Sequence, residues 1–287
     1  MPGIDASGPN AEQIKYWNEV SGPKWVALHN LINAQIAPLG SRALERSAAR
    51  DGERALDVGC GCGETTLDLG RRVGPGGAAT GIDISAVMLA EARARAHAAG
   101  LKHVGFENAD AQTQALPRES YDLLFSRFGV MFFADPTAAF TNLHSALRPG
   151  GRLAFICWQQ LQDNPWMFVP VMAAAQHISL PPPPAPDAPG PFSFADQDRV
   201  RGILSCAGFT NIAFEAVNDT MTLAGGNDLA QTTDFLLQMG PTGAMLREAG
   251  REQLDVVAAA VRDAIAPYAT PDGVRMSSAA WIVTAEK

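Results

Sequence analysis

The chain has 287 residues, 47% of them apolar, and carries a formal net charge of −8. A chain of this length forms one or two domains with a sizeable core, and its acidic balance argues against nucleic acid as a partner. No run of ~20 apolar residues could span a membrane, and the first residues lack the basic start and apolar centre of a signal peptide. Four cysteines in a chain this long are not a disulfide framework. We therefore expect a cytoplasmic protein that binds neither nucleic acid nor a membrane.

The N-terminal 50 residues are predicted to be helical, with a break at Ser21-Gly22-Pro23. Beyond them, strands alternate with helices as far as Trp158, which favours a parallel sheet with helices on both faces. Such a sheet binds ligands at the carboxyl ends of its strands. The five strands predicted here are 54–59 (RALDVG), 78–84 (AATGIDI), 103–110 (HVGFENAD), 121–128 (YDLLFSRF) and 152–158 (RLAFICW).

The pattern changes after Trp158. The proline-rich segment Pro181–Pro191 is predicted to be an extended surface linker, because proline has no backbone donor for a helix or a central strand. The predicted elements that follow are a helix at 198–209, a strand at 210–217, helices at Leu229–Gln238 and Gly243–Ala266, and a strand at 278–287.

The stretch ALDVGCGCGETTLDL, from Ala55 to Leu69, carries the main functional signal. Glycines 59, 61 and 63 allow a tight turn from strand to helix and let a ligand approach the bare backbone. Free N–H groups at the start of the helix favour anionic groups. The dinucleotide fingerprint G-x-G-x-x-G does not fit, because the third glycine comes one residue early. The sequence therefore predicts a polar or anionic ligand at the end of the first strand.

Four segments in order resemble the motifs of class I S-adenosylmethionine-dependent methyltransferases. They are LDVGCGCGETT, TGIDISAVMLAEARARA, FENADAQTQALPRESYDLLFSRFGVMFF and LHSALRPGGRLAFICW. The resemblance is to the small-molecule branch that includes the ubiquinone and menaquinone C-methyltransferases. It implies S-adenosyl-L-methionine as cofactor and S-adenosyl-L-homocysteine as product.

The resemblance also implies the architecture, an α/β fold with a Rossmann-like, seven-stranded, mostly parallel sheet and helices on both faces. Helical segments are expected over the active site, as an N-terminal lid and as insertions rich in methionine. Methionine fills adaptable pockets, but helical insertions could equally form a dimer interface, so a monomer or a homodimer is expected. The expected divisions are 1–50 (lid), 51–158 (cofactor-binding core), 159–196 (insertion after the fifth strand) and 197–287 (rest of the core, with a substrate cap at about 219–275).

The family's cofactor contacts are carried over onto matching positions of this chain. Asp83 would accept both ribose hydroxyls, and Asp110 would accept from the exocyclic amine of adenine. Asp57 would hold the loop or reach the amino group through water. Three roles remain open for Arg127. They are binding of a substrate carboxylate, binding of the carboxylate of the cofactor, and a structural role. The full cofactor set is Trp17, Asp57, Gly59, Cys60, Gly61, Asp83, Ile84, Met88, Asp110, Ala111 and Arg127.

Methyl transfer from a sulfonium is an in-line displacement, so the protein mainly orients and desolvates, and supplies a base if the nucleophile carries a proton. Aromatic faces stabilise a sulfonium by cation–π attraction. Tyr16, Trp25 and Phe128 are therefore expected on the substrate side, although aromatic rings in the lid could simply anchor it to the core. His29 is the preferred base, with His177 as the alternative.

The cysteines are expected to be small packing residues rather than metal ligands or redox groups. Cys60 and Cys62 have a Cys-x-Cys spacing that does not match a zinc site, and Cys157 and Cys206 are expected to be buried. No metal is expected. The predicted function is methyl transfer to O, N, S or C of a small molecule. The alternatives are methylation of tRNA or protein, a non-catalytic cofactor-binding protein, and an enzyme that uses an altered sulfonium.

Overall fold

A computed structural model describes residues 4, 6–179, 185, 188–248 and 251–287, with the side chains of 248, 251 and 252 excepted. Its strands are β1 (Arg54–Val58), β2 (Ala78–Asp83), β3 (Val104–Asn108), β4 (Tyr121–Arg127), β5 (Leu147–Trp158), β6 (Thr210–Thr222), β7 (Ala269–Thr270) and β8 (Gly273–Glu286).

The sheet has the strand order β3-β2-β1-β4-β5-β8-β6, and the two-residue β7 pairs with β8 beside this path. β1 to β5 run parallel, and β8 lies antiparallel between β5 and β6. The Rossmann-like, mostly parallel sheet is therefore confirmed, with one short strand more than the seven expected. The chain reverses its direction of travel across the sheet between β1 and β4, and a ligand crevice forms at such a switch point.

The helices surround the sheet and extend beyond its carboxyl edge. They are α1 (Ala11–Lys15), α2 (Ser21–Arg46), α3 (Glu64–Val73), α4 (Ala86–Ala98), α5 (Pro136–Ala146), α6 (Pro165–Ala174), α7 (Gln197–Cys206), α8 (Leu229–Gln238), α9 (Gly240–Met245) and α10 (Arg251–Ile265).

Two helix predictions need correction. The expected break at Ser21-Gly22-Pro23 is wrong, because α2 begins at Ser21 and the irregularity is a π-helical turn at Tyr16–Val20. Pro23 falls in the first turn of α2, where a missing N–H costs no helical hydrogen bond. The single helix expected at Gly243–Ala266 is interrupted by a 3₁₀ turn at Leu246–Glu248. Leu246 turns into a small apolar cluster with Val257 and Val261 of α10, which sets the new helix direction.

The main core lies on both faces of the sheet, and Phe125, Phe140 and Phe155 are fully buried in it. Burial of such large apolar side chains is the dominant favourable contribution to folding. None of the helices in the described part of the chain is long and apolar enough to cross a membrane. Most of the proline-rich segment Pro181–Pro191 lies outside the described residues.

Candidate active site

A cavity of about 1610 Å³ lies between the carboxyl edge of the sheet and the helices that extend beyond it. The loops after β1 to β4 form its floor. Most of its remaining wall comes from residues 10–36, 161–179 and 235–247, which we name the roof. Trp158, Pro191, Phe192 and Gln253 complete the lining. Single small-molecule sites typically measure ~300–1,000 Å³. The cavity therefore has room for two ligands side by side.

The glycine loop after β1 is held by backbone contacts that side chains would prevent. Gly59 has φ +68°, and a Cβ there would lie 2.8 Å from the Cα of Gly129. Gly61 has φ +56°, and a Cβ there would lie 2.8 Å from Cε of Met88. Positive φ is the left-handed region that side chains disfavour. The loop thus presents bare backbone to the cavity because these positions carry no side chain.

Asp83, at the end of β2, fixes this loop from the neighbouring strand. Its Oδ2 accepts a hydrogen bond of 2.7 Å from the N–H of Gly61, and its Oδ1 accepts one of 2.8 Å from the N–H of Ser85. Ser85 in turn caps α4, because its Oγ accepts from the N–H of Met88. Burial raises the pKa of Asp83. The backbone N–H of Ile84 is a further donor to this carboxylate, which leaves about one acceptor position for a ligand.

Asp57 lies under the loop, and the described cavity lining does not include it. Its Oδ2 accepts 2.7 Å hydrogen bonds from Oγ1 of both Thr65 and Thr66, which fixes the first turn of α3 to β1. Its Oδ1 is buried without a hydrogen-bond partner among the described residues. Burial raises the pKa of Asp57 from 3.8 to about 6, against the lowering effect of the two threonines. The threonines were missed at the sequence level, since hydroxyls after a glycine loop carry no distinctive signal.

The raised pKa of Asp57 predicts a pH-dependent stability. The folded protein binds a proton on Asp57 more tightly than the unfolded chain does. The resulting contribution to the free energy of unfolding is full below about pH 4 and is lost as the pH rises through about 6. Asp57→Asn stays neutral at every pH. Urea unfolding should therefore show the free energy of unfolding of the variant rising by roughly 2–2.5 kcal/mol, relative to the unsubstituted protein, between pH 4 and pH 7. The exposed control Asp68→Asn should show a flat difference. A flat difference for Asp57→Asn as well would contradict the assignment.

Asp110, after β3, is tied to the N-terminal segment. Nδ2 of the buried Asn10 donates to both of its oxygens, at 2.9 and 2.8 Å. The N–H of Gln112 and Oγ1 of Thr113 occupy the remaining acceptor positions. A carboxylate offers about four acceptor positions, so an adenine amine could bind to Asp110 only by displacing one of these donors. Asn10 was missed by the sequence reasoning because nothing in its local pattern marks a contact 100 residues away.

Two further contacts fix the N-terminal segment to the loop after β2. Asn18 donates to the carbonyl oxygen of Ile84 at 2.9 Å and accepts from the N–H of Ala86 at 2.9 Å. Oγ of Ser85 donates to the carbonyl oxygen of Trp17 at 2.8 Å. The segment expected to form a lid is therefore hydrogen-bonded across the floor of the cavity.

Asn10→Asp should release this segment, because it places a second carboxylate against Asp110 and removes both donated hydrogen bonds. Hydrogen bonds to charged groups contribute ~1.5–3 kcal/mol each. Amide exchange of residues 11–20 should therefore accelerate at least about tenfold, measured by hydrogen–deuterium exchange. Asn211→Asp is the matched control, since Asn211 donates to the exposed carboxylate of Glu286. Unchanged exchange in residues 11–20 of the Asn10 variant would show that this contact does not hold the segment.

Aromatic rings cover much of the cavity wall. Trp17 makes edge-to-face contacts with Tyr16, Trp25 and Phe132, at centroid distances of 5.6, 5.9 and 5.2 Å. On the opposite wall, Phe128 stacks on Trp158 at 4.1 Å, and Trp158 contacts Trp166. Four of the five tryptophans of the chain (17, 25, 158 and 166) thus line the cavity.

Phe128 has a strained backbone, with φ +61°. Such a conformation in a bulky residue is uncommon and is concentrated at functional sites. Phe128 is the first residue after β4, and its backbone conformation turns the ring onto Trp158. The sequence placed Phe128 beside the site but gave no sign of this conformation.

Arg127, the last residue of β4, extends into the cavity wall against α2. One of its N–H groups donates to Oδ1 of Asn33 at 2.9 Å. Gly40 makes room for its stem, because a Cβ there would lie 2.7 Å from Cδ of Arg127. Arg127 forms no ion pair with any described residue. Burial lowers the pKa of its guanidinium.

The histidines occupy different surroundings. His29 lies on the cavity face of α2, with Nδ1 3.1 Å from the carbonyl oxygen of Val26. His177 is exposed and is not among the lining residues. His144 packs against Phe209, and its pKa is lowered by burial. Among the candidate bases, only His29 is placed in the cavity wall.

The cysteine predictions need one correction. Cys60, Cys62 and Cys157 are buried, but Cys206, the last residue of α7, is exposed. Burial raises the pKa of the Cys62 thiol to about 12 and also raises that of Cys60. In the described part of the chain, no cluster of three or more histidine, cysteine or acidic side chains could hold a metal ion.

The structure brings most of the predicted site residues to one cavity. Every proposed cofactor contact except Asp57 lines it, and so do Tyr16, Trp25, Phe128 and His29. Lining residues that the sequence reasoning did not name come mainly from the roof. They include Asn10, Lys24, Asn33, Trp166, Met239 and Arg247.

The fold and the site together define a Rossmann-like domain with a large cavity beside the glycine loop after β1. Residues 55–151 match the family model described as "Methyltransferase domain". This match confirms the resemblance to S-adenosylmethionine-dependent methyltransferases over this segment of the chain.

Two relatives match part of the chain. Aklanonic acid methyltransferase DauC of Streptomyces sp. (strain C5) is 37% identical over 118 residues, which cover 41% of this chain and 54% of that protein. Demethylmenaquinone methyltransferase of Staphylococcus aureus is 30% identical over 156 residues, which cover 54% of this chain and 63% of that protein. The chain therefore matches less than two thirds of the length of either relative.

A solved structure shares the fold over a longer span. Phosphoethanolamine N-methyltransferase 2 of Haemonchus contortus, in complex with S-adenosyl-L-methionine, has a TM-score of 0.53 at 20% identity. The likeness covers 87% of this chain and 52% of that chain. At this identity the likeness supports the fold.

Proposed function

We propose that the protein transfers the methyl group of S-adenosyl-L-methionine to a small-molecule acceptor held in the same cavity. The observation that carries this proposal is the cavity itself. The glycine loop and Asp83 open into one space of about 1610 Å³ with the aromatic residues and the roof. The names of the two relatives, which refer to aklanonic acid and demethylmenaquinone, support an acceptor of this size class.

The residues at the floor fit the cofactor. Gly61 lines the cavity and carries no side chain, so its backbone is bare toward the methionine moiety. Asp83 lines the cavity and keeps an acceptor position that suits a ribose hydroxyl. Ile84 and Met88 offer apolar contacts for adenine. The unpartnered Oδ1 of Asp57 adds negative charge beneath the loop, which favours a cationic ligand above it.

The cofactor supplies an electrophilic methyl carbon on a sulfonium. The protein's own part is to align the acceptor, exclude water and accept a proton where the acceptor atom carries one. The rings of Trp17 and Trp25 provide π-faces for a cationic centre. His29 is the proposed proton acceptor, because it is the histidine placed in the cavity wall.

The roof favours a small acceptor over tRNA or a protein side chain. Residues 10–36, 161–179 and 235–247 close over the cavity, and residues of α6 and α8–α9 contribute apolar side chains such as Met167, Val171 and Met239. We therefore propose that 1–50 acts as a lid and that the two insertions form the substrate pocket. A largely apolar wall suits a partly hydrophobic small molecule.

Calorimetric titration with S-adenosyl-L-methionine and with S-adenosyl-L-homocysteine tests the proposal. Saturable binding of both ligands at one site per chain is expected. A folded sample, freed of any co-purified ligand, that binds neither would overturn it. Methyl transfer is then followed by release of S-adenosyl-L-homocysteine in the presence of small phenols, amines and thiols.

A further inference from the structure

The charged residues around the cavity are divided by sign. Its carboxylates, Glu64, Asp83 and Asp110, all follow β1, β2 or β3 and lie on the cofactor side of the floor. Glu64 is already paired with Arg95. By contrast, no described lining residue of the roof is acidic, whereas Lys24 and Arg247 of the roof both line the cavity. The half of the cavity left for the acceptor is therefore electropositive.

Arg127 is the most constrained cation in this half. Oδ1 of Asn33 accepts a hydrogen bond from one of its N–H groups, and Gly40 leaves space for its aliphatic carbons. Two residues of α2 therefore fix the position of the guanidinium. A guanidinium has five N–H donors in a planar fork that matches a carboxylate. Removing a cation from water without a counter-ion is unfavourable. Glu64, Asp57 and Asp68 stabilise the charge of Arg127 from a distance, but no described residue forms an ion pair with it.

His29 lies on the same face of α2 as Asn33, one turn earlier, and both line the cavity. Side chains four residues apart on a helix are neighbours, about 5–6 Å between their Cβ atoms. The proposed proton acceptor and the partner of Arg127 are thus adjacent. A ligand that binds to Arg127 is within reach of His29.

We propose that the acceptor carries a carboxylate, or an equivalent planar oxyanion, that binds to Arg127, on an apolar body that packs against the aromatic wall. This inference rests on the proposed function and adds the chemical class of the acceptor. The Phe128–Trp158 stack and Trp166 supply the apolar contacts. Arg127 is then a specificity residue that selects anionic over neutral acceptors.

The test compares acids with their amides, which have the same shape without the charge. Protein saturated with S-adenosyl-L-homocysteine is titrated calorimetrically with salicylate and salicylamide, and with the naphthalene analogues of both. At least one acid should bind about tenfold or more tightly than its amide. In Arg127→Met the affinities for the acid and for its amide should agree within about twofold. Arg127→Lys should keep part of the preference for the acid, because lysine keeps the positive charge but not the planar set of guanidinium donors. Arg201→Met, which removes an exposed arginine over Phe214, should keep the full preference.

The outcomes separate this inference from the proposed function. If S-adenosyl-L-homocysteine binds but no acid of the panel binds more tightly than its amide, the inference is wrong and the proposed function stands. If Arg127→Met loses affinity for S-adenosyl-L-homocysteine itself, Arg127 holds the carboxylate of the cofactor, and the inference is also wrong. Failure of the original protein to bind S-adenosyl-L-homocysteine would instead overturn the proposed function.

Discussion

Asp83→Asn is expected to lower the affinity for S-adenosyl-L-homocysteine by at least about 100-fold. The carboxylate accepts from two backbone N–H groups, those of Gly61 and Ser85. An amide has a single acceptor oxygen, so its NH₂ group must face one of these donors. That donor loses its partner, the loop shifts, and an anionic acceptor for the ribose hydroxyls is lost. Hydrogen bonds to charged groups contribute ~1.5–3 kcal/mol each, and two of them correspond to this loss.

Calorimetric titration measures this effect, with Asp68→Asn as the control, because Asp68 is an exposed acidic residue of α3 paired with Arg71. The Asp83 variant should also lose ~1–3 kcal/mol of unfolding free energy, since a buried N–H is left without a partner. Circular dichroism should still show a folded protein. An affinity within about threefold of the original would overturn the role assigned to Asp83.

Gly59→Ala is expected to destabilise the protein by roughly 2–5 kcal/mol. The backbone has φ +68° at this position, which is unfavourable for any residue with a Cβ. The new Cβ would also lie 2.8 Å from the Cα of Gly129. Because that neighbour is backbone, relief requires the loops after β1 and β4 to move apart. The midpoint of urea unfolding measures the loss, and cofactor affinity should fall with it.

Gly52→Ala separates the two causes. Gly52 has φ +80°, but a Cβ there meets nothing within 4 Å. This control should lose only the conformational part, ~1–2 kcal/mol. If Gly59→Ala and Gly52→Ala were equally destabilising, the close approach of Gly59 to Gly129 would not contribute to the loss of unfolding free energy.

The sequence predicted the floor of the cavity better than its roof. The glycine loop and Asp83 follow from short local patterns, because a strand, a turn and a helix within fifteen residues fix the backbone. The contact between Asn10 and Asp110 joins residues 100 positions apart, and a single asparagine carries no local signal for it. Long-range contacts of this kind decide how the roof closes.

Other misses have specific physical causes. The π-helical turn at Tyr16–Val20 depends on the packing of the N-terminal segment against the loop after β2, not on local propensity. The 3₁₀ turn at Leu246–Glu248 interrupts a pattern that otherwise predicts one long helix, because Leu246 packs into the cluster with α10. Tertiary contacts therefore override the periodic signal in both places.

The four tryptophans that line the cavity give the protein an optical reporter of its own. The fifth, Trp281, donates its indole N–H to the carbonyl oxygen of Ala195 and packs against Phe214, away from the cavity wall. Ultraviolet emission from the chain therefore arises mainly from rings that face the ligand space. Occupancy of the site can be followed by intrinsic fluorescence, without a dye or a radioactive methyl group.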